Sequence, residues 1–482
     1  MISHFKGKSA RSLFLFLVIS LIAISHLFAQ YYPHNDKTDY REDYRGQFHF
    51  SPQSEWMNDI NGLVYQGGKY HMIYQWGKAI RHGGYATSPD LLHWTDEGVA
   101  LVPQKSFLPV DAKRNVSGDQ VYSGSAVLVH GDVAKKITGS GKEAIVAIYT
   151  GTARGTCLAW SNDNGKTWHD YKNNPVAHPA EKADPRDPCV IWHEPTSKWV
   201  LALYENGTTF YGSKDLISWD YLSNINFGYE CPDLFRLPVN TNESKWVLHD
   251  ANGTYLVGEF DGVTFTKEHG QDTLIMDEGP DFYAAQTFPF GNLPNNDRRT
   301  IQIAWMDHWN GGIGETVWER NATFPVQLGL RQIDGQIYLT RLPIDELSSI
   351  YEYSKSWDAQ SIDKGQNILS DIESKKFYLI ATFDLSKTSA DKFGFRIANK
   401  TIEYDGSNRT LLSKKVKFIN EEQLEMRILV DWGQLEVFAN DGIFSFTEQF
   451  AFSPERKDIE FLSNGDVQLV SMEFHEVKRI WD

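Results

Sequence analysis

Cysteine is scarce in this sequence, with only Cys157, Cys189 and Cys231 among 482 residues. This odd and sparse set cannot form the disulfide framework of a small secreted scaffold, so stability must come from packing. No Cys and His cluster has the spacing of a zinc site. No GxxxxGK[ST] or GxGxxG stretch is present to cradle a phosphate. We therefore expect neither a metal nor a cofactor.

Positive charge is in deficit, with 47 Lys and Arg against 63 Asp and Glu and a formal net charge of -16. A chain of this charge repels a polyphosphate and gains no affinity for nucleic acid from the release of counterions. The balance excludes nucleic acid as an expected partner and fits neutral ligands better. Nothing in the sequence indicates an oligomeric state.

Long apolar runs are absent except near the start, where basic residues precede LFLFLVISLIAI (residues 13–24) and small Ala29 follows. This pattern is typical of a secretory signal peptide, which we place at residues 1–29. A membrane anchor is the alternative, but the run is short for a span of about 20 residues. We expect a secreted or periplasmic protein that has no membrane association once the signal is removed.

Long helical periodicity is also hard to find, whereas short runs rich in β-branched and aromatic residues recur between turn residues, which predicts a mainly β protein. One run (residues 62–76) predicts a hairpin that turns at Gly67 and Gly68. Short turn motifs that end in an aromatic residue then recur along the chain. Their intervals are irregular but close to the length of a four-stranded propeller blade, about 40–50 residues. Four or five blades would occupy residues 45–340. Ordinary hairpin turns are the alternative.

The length of 482 residues favours two domains. The pattern of short strands and turns is interrupted near residues 341–356, which we interpret as a short helical linker. From FYLIATFDL (residues 377–385) onward, alternating strands follow at the spacing of a sandwich. We therefore predict a β-sandwich domain at residues 357–482.

Three acidic residues stand in unusual surroundings, and cleavage of a glycosidic bond needs two carboxyl groups that meet. Asp59 follows a segment rich in aromatic residues, although an aspartate next to an Asx turn would occur in the same setting. Asp187 lies between Arg186 and a proline, where a turn aspartate paired with that arginine is the alternative. Glu230 has mostly apolar neighbours, as expected where burial favours a protonated acid, but a glutamate at a strand edge would look the same. A propeller can bring residues of different blades to one funnel.

Six words of the sequence, in this order, resemble the signature blocks of glycoside hydrolase family 32: WMNDING, YSGSA, PRDP, YECPDLF, DFYAAQTF and VDWGQLEVFANDG. The resemblance covers residues 48–482. It implies an all-β protein with a five-bladed propeller followed by a C-terminal β-sandwich. It also implies that Asp59 is the nucleophile, Asp187 the transition-state stabiliser and Glu230 the acid/base. The same match implies a group of pocket residues around the terminal fructosyl unit: Asn58, Gln75, Tyr122, Ser123, Arg186, Tyr283 and Trp305.

The match has departures. Tyr122 stands where the family usually has Phe, and Ile60 stands where it usually has Pro. More consequentially, Gly83, Gly84 and Tyr85 replace an expected Trp-Gly-His, so an aromatic wall of the pocket mouth could be missing. Core packing is the alternative for Tyr283 and Trp305. We expect the Arg186 guanidinium to keep the Asp187 carboxylate ionised.

The resemblance implies a secreted retaining β-fructofuranosidase or fructanase that releases fructose from levan, inulin or sucrose by double displacement. An endo-acting fructanase or a fructosyltransferase on the same scaffold is the alternative reading. A non-catalytic fructan-binding propeller is more remote, because all three acids are present. The segment SNDNGKTW resembles an Asp-box turn, which would suggest a sialidase. The acidic net charge does not favour the anionic substrates of such an enzyme.

Overall fold

The computed structural model describes residues 38–104, 119–177, 185–307, 317–450 and 457–481. The predicted signal peptide lies outside these ranges. Of the described residues, all except Thr38 belong to one compact unit, Asp39–Asp482. No helix within these ranges is long and apolar enough to cross a membrane.

Five antiparallel sheets follow one another along the chain up to residue 343. The first contains β1 (Glu55–Gln66), β2 (Lys69–Trp76), β3 (His82–Ser88) and β4 (Thr95–Leu101). The second contains β5 (Val121–Val129), β6 (Ala144–Gly151), β7 (Gly155–Ser161) and β8 (His169–Asp170), with helix α1 (Gly131–Thr138) between β5 and β6. The third contains β9 (Arg186–His193), β10 (Lys198–Tyr204), β11 (Thr208–Ser213) and β12 (Asp220–Ile225), with a 3-10 turn at Glu194–Thr196.

The fourth sheet contains β13 (Asp233–Pro238), β14 (Ser244–His249), β15 (Thr254–Phe260), β16 (Phe265–Lys267) and β17 (Leu274–Ile275). The fifth contains β18 (Phe282–Thr287), β19 (Thr300–Met306), β21 (Asn321–Ala322), β22 (Val326–Ile333) and β23 (Gln336–Pro343), with a 3-10 turn at Pro294–Asn296. The short strand β20 (Trp318–Glu319) leaves this sheet and pairs in parallel with β1.

The first strands of the five sheets form a closed ring, because β1 contacts β5 and β18, and β9 and β13 complete the circle. This arrangement is a five-bladed propeller, as the sequence predicts. Inner strands such as β6 are buried along their whole length because neighbouring blades cover both faces. The predicted hairpin is also confirmed: β1 pairs with β2 through Gln66 and Lys69, so that Gly67 and Gly68 form the turn.

The remaining strands form the two sheets of a sandwich. One contains β24 (Tyr351–Trp357), β25 (Gln360–Ile362), β26 (Lys376–Asp384), β31 (Gln423–Asp431), β32 (Gln434–Ala439), β33 (Phe444–Gln449) and β35 (Val467–Val477). The other contains β27 (Lys392–Ile397), β28 (Lys400–Asp405), β29 (Thr410–Leu411), β30 (Lys414–Lys415) and β34 (Ile459–Ser463). Alternate residues of β26, including Phe377, Leu379 and Phe383, enter the core between the sheets.

The region predicted as a helical linker, residues 341–356, is mostly strand. Its first residues end β23 and its last residues lie in β24, which pairs with β35. Only the 3-10 helix Asp345–Ile350 lies between them. The strand YEYSKSW, which is mostly exposed, pairs at the edge of the sandwich sheet and is not a free connector.

Candidate active site

The predicted site residues come together because they lie at the beginning of the innermost strands. Asp59 lies in β1, Ser123 in β5, Asp187 in β9 and Tyr283 in β18, while Glu230 lies three residues before β13. The ring of strands brings these five beginnings to one end of the propeller axis. Distant stretches of chain therefore deliver their side chains to one pocket.

Asp59 is 7% exposed, and its carboxylate contacts its own blade and the next one rather than the local turn. Its Oδ2 accepts hydrogen bonds from Ser123 Oγ at 2.6 Å and from Gln75 Nε2 at 2.8 Å. The Asn58 side chain binds the backbone instead, because its Oδ1 accepts a hydrogen bond from the Asp59 amide. The Asx turn considered from the sequence does not use the Asp59 side chain.

Asp187 is the most enclosed of the three acids, at 4% exposed. Its backbone N–H donates to Thr150 Oγ1, and its Oδ2 accepts a hydrogen bond from the Cys231 amide at 3.3 Å. The Arg186 Nε atom lies 3.7 Å from the same oxygen. The backbone of Asp187 is thus held by a neighbouring blade, and its carboxylate is held by the backbone next to Glu230.

Glu230 has more polar surroundings than its sequence neighbours suggest. Its side chain is 24% exposed and accepts hydrogen bonds from Arg186 at 2.5 and 3.1 Å through Oε1. The Tyr283 hydroxyl donates to Oε2 at 2.5 Å. The expectation of an apolar setting is wrong here, because Tyr229 turns outward and two polar side chains from other blades reach the carboxylate instead.

Arg186 pairs mainly with Glu230 and stacks against aromatic rings. Its guanidinium carbon lies 4.6 Å from the Tyr204 ring centre and 5.8 Å from that of Tyr229. Stacking of this kind fixes the plane of the guanidinium and leaves its N–H groups for oxygen acceptors. Arg186 therefore orients Glu230 more directly than it contacts Asp187.

The backbone is strained at two of the acids. Asp187 has a φ of 60°, and Glu230 and Cys231 have φ values of 57° and 38°. Residues other than glycine rarely adopt this left-handed region, and such strain clusters at functional sites. Neighbouring blades hold these residues through the contacts of Asp187, Cys231 and Glu230 described above.

Burial raises the pKa of both deep carboxyl groups. It raises the pKa of Asp59 to about 6, while the hydrogen bond from Ser123 acts in the opposite direction and the charge of Glu230 adds to the increase. Burial, followed by the charge of Asp59, raises the pKa of Asp187 to about 8. Arg186 lowers that pKa, in the direction expected from the sequence, but burial outweighs its effect.

The aromatic candidates line one side of the pocket. Tyr283 and Trp305 pack edge to face with ring centres 6.1 Å apart, and Trp56 packs on Trp305 at 5.9 Å. Trp305 is 6% exposed, and its indole N–H has no hydrogen-bond partner among the described residues. A buried donor of this kind is ready for a ligand acceptor. Tyr122 is half-buried and faces Arg81, whose guanidinium carbon lies 5.7 Å from its ring centre.

Sequence reasoning missed Arg81 and Cys231. Arg81 lies 4.5 Å from the ring centre of Trp56, in the segment where the family pattern changes. Tyr85, which replaces an expected pocket residue there, is instead buried against His71 in the core. Cys231 donates from Sγ to Asp59 at 3.5 Å. Only the position of Cys231 beside Glu230 could have indicated its role.

Asp59, Asp187 and Cys231 form a group whose potential ligand atoms lie within 4.8 Å of one another. Burial, followed by the charges of Asp187 and Asp59, raises the pKa of the Cys231 thiol well above its ordinary value. A protonated thiol is a poor metal ligand, because the thiolate is the form that coordinates. The group therefore places a protonated thiol beside two carboxyl groups in one part of the site.

The site contains two buried carboxyl groups and a third that is held by an arginine and a tyrosine, and indole and phenol rings line one side of it. Sites of this composition cleave glycosidic bonds. The chain matches the N-terminal domain of glycosyl hydrolases family 32 over residues 49–341. It matches the C-terminal domain of the same family over residues 346–476. The protein belongs to this family and is a glycosidase.

Relatives and solved structures agree with this assignment. The levanase of Bacillus subtilis (strain 168) is 32% identical, and the match covers 92% of this chain and 72% of the relative. An extracellular exo-inulinase of Aspergillus niger is 30% identical, covering 98% of this chain and 100% of the relative. The crystal structure of an exo-inulinase from Aspergillus awamori superposes with a TM-score of 0.79 at 27% identity, covering 92% of this chain and 100% of that one.

Proposed function

We propose that this protein hydrolyses β-fructosides such as levan, inulin and sucrose with release of fructose and retention of configuration. The observation that carries the proposal is the meeting of Asp59, Asp187 and Glu230 at one end of the propeller axis. Relatives that are named levanase and exo-inulinase support the class of substrate.

In the first step, a carboxylate oxygen of Asp59 attacks C2 of the terminal fructosyl unit while the bond from C2 to the leaving oxygen breaks. Glu230 gives its proton to that oxygen, so the leaving sugar departs as an alcohol. In the second step, Glu230 removes a proton from water, the resulting hydroxide bonds to C2, and the ester to Asp59 breaks. Fructose is released and both acids return to their starting states.

The surrounding residues prepare these steps. Ser123 and Gln75 both donate to one oxygen of Asp59, which leaves its other oxygen for the attack. Arg186 and Tyr283 fix the Glu230 carboxyl group from two sides. Asp187 stabilises the oxocarbenium-like state through fructosyl hydroxyls, and the unpartnered N–H of Trp305 serves as a donor to the substrate.

We also propose that the propeller, predicted at residues 45–340, is the catalytic part, that the sandwich predicted at residues 357–482 is a second domain which β24 extends towards the N-terminus, and that the protein is exported. The charged and apolar pattern of residues 1–29 supports export, and so does the similarity to an exo-inulinase that is named as extracellular. Detection of the mature protein in the culture medium, with an N-terminus near residue 30, is the corresponding measurement.

The proposed reaction is tested by a panel of sucrose, inulin and levan with the products resolved as fructose or oligosaccharides. We expect fructose as the first product, and methyl β-fructoside when methanol is added, because both displacements invert C2. A methyl α-fructoside would contradict the covalent mechanism. Oligosaccharides from levan would indicate endo action, and sugar-to-sugar transfer at high sucrose would indicate a fructosyltransferase.

The hydrogen bond from Ser123 to Asp59 predicts a change in pH dependence. Asp59 must be ionised to attack, so kcat/KM should fall as the pH drops below about 6. Ser123→Ala removes a donor that favours the ionised form, and we expect the acid limb to move up by about one pH unit. Ser125→Ala is the matched control, because it makes the same change two residues along β5, where Ser125 Oγ accepts from Val190 N. An unchanged limb in Ser123→Ala would contradict the assignment of Asp59.

A further inference from the structure

A second cavity lies at the other end of the propeller axis. It has a volume of about 890 Å³ and is lined by the last residues of the innermost strands, such as Val129 in β5, His193 in β9 and Thr287 in β18. The same strands carry the catalytic candidates at their beginnings. Ser123 and Val129 lie six residues apart in one strand, a separation of about 20 Å. We call this space the distal cavity.

The distal cavity is separated from the catalytic pocket by Gln286. Its Nε2 donates to the Gly124 carbonyl oxygen at 2.7 Å, and its Oε1 accepts from the Leu63 amide at 3.5 Å. This side chain therefore connects the fifth blade to the second and the first across the channel. A ligand in the distal cavity would not touch Asp59.

The distal cavity carries positive charge that has no acidic partner. Lys214, Arg236 and Arg298 line it, are exposed, and form no ion pair among the described residues. The acidic residues of the lining, Glu194 and Asp233, are already engaged. Glu194 accepts from the Trp192 indole N–H at 2.6 Å, and buried Asp233 accepts from Cys189 and from the Thr287 amide. Three cations against two carboxylates leave this lining with a formal charge of +1, in a chain whose net charge is -16.

Aromatic rings stand among these cations. Trp192 is 44% exposed and Phe290 is 67% exposed, although both belong to the lining. Trp192 is held by its bond to Glu194 and by Trp199, whose ring centre lies 5.1 Å away. An exposed ring that is held in place offers a flat apolar face at low entropic cost.

We propose that the distal cavity binds an anionic saccharide, with carboxylate or sulfate groups on Arg236, Arg298 and Lys214 and a sugar face against Trp192. Planar guanidinium groups match such anions in a two-pronged geometry. The volume is that of a small-ligand site. A neutral saccharide would leave the three cations without a partner, and an extended polyphosphate would be repelled by the rest of the chain.

Titration calorimetry of the full chain with trigalacturonate and with a sulfated tetrasaccharide tests this proposal. Neutral maltotetraose and an octameric oligothymidylate are the comparison probes. We expect both anionic saccharides to bind and the Arg236→Gln/Arg298→Gln variant to raise Kd by about tenfold or more. Phe290→Ser should weaken binding several-fold. Sucrose hydrolysis by these variants should equal that of the wild type, which separates this proposal from the proposed function.

Lys415→Gln/Lys417→Gln is the matched control, because it removes the same charge from an exposed part of the sandwich. It should leave Kd unchanged. Equal binding of maltotetraose, tighter binding of the oligonucleotide, or no binding of either anionic saccharide at about 10 mM would each overturn the proposal. An effect of the sandwich control as large as that of the arginine variant would overturn it as well.

Discussion

Asp59→Asn is expected to lower kcat for sucrose and levan by at least roughly 10⁴-fold, because the amide cannot form the covalent intermediate. The substitution keeps the shape of the side chain, and its oxygen can still accept from Ser123 or Gln75. The site is 7% exposed, so removing a buried charge there should not unfold the protein. Initial rates of fructose release, together with the melting temperature, measure both effects.

The variant has a second readout and a matched control. The charge of Asp59 is one of the causes that raise the pKa of Asp187, so Asp59→Asn should lower the pKa of Asp187. This change is detectable by following carboxyl protonation in the infrared. Asp132→Asn makes the same substitution at an exposed position of helix α1 and should leave kcat unchanged. Turnover of Asp59→Asn within tenfold of the wild type would contradict its role as nucleophile.

Much of the fold could be predicted from local sequence because its signals are local. A Gly-Gly pair between two apolar runs defines the β1–β2 hairpin, and alternation in β26 defines a half-buried strand. The segment between the propeller and the sandwich could not be predicted in this way. Pairing of β24 with β35 depends on residues more than a hundred positions away, which no window of sequence contains.

The candidate site, like the fold, could be predicted from the sequence only in part. The words around Asp59, Asp187 and Glu230 indicate which carboxyl groups meet, but they do not indicate their partners. Glu230 is held by Tyr283 from another blade, and Arg186 turns to Glu230 rather than to its neighbour Asp187. These preferences arise from burial and from the geometry of the ring, which a single sequence does not report.

Asp431→Ala is expected to lower the free energy of unfolding by about 3–5 kcal/mol, because it breaks a buried network between the sandwich and the start of the propeller. Asp431 is fully buried in β31. It accepts hydrogen bonds from the backbone amides of Gln47, Phe48 and His49 at 2.7, 2.8 and 3.0 Å, and from His49 Nδ1 at 2.9 Å. Glu436 accepts from the other ring nitrogen of His49 at 2.9 Å. Without Asp431, three buried amides lose their acceptor.

The same network makes stability depend on pH. Burial lowers the pKa of His49, but the hydrogen bonds and charges of Asp431 and Glu436 outweigh burial and raise this pKa to about 9. A folded value above the unfolded value of about 6.5 means that this stabilisation is complete below pH 6.5 and is lost as the pH rises through 9. The difference corresponds to about 3 kcal/mol. The melting temperature of the wild type should therefore fall across this range.

Comparison of Asp431→Ala with the wild type isolates this contribution. The variant removes one of the two carboxylates that favour the charged imidazole, so its melting temperature should depend less on pH between 6.5 and 9. Asp358→Ala, an exposed aspartate of the sandwich, is the matched control and should change neither the stability nor its pH dependence. A variant that is destabilised but keeps the full pH dependence would show that His49 is not the group that titrates. The contacts of Asp431 with the backbone amides would then account for the whole loss, because an amide does not titrate in this pH range.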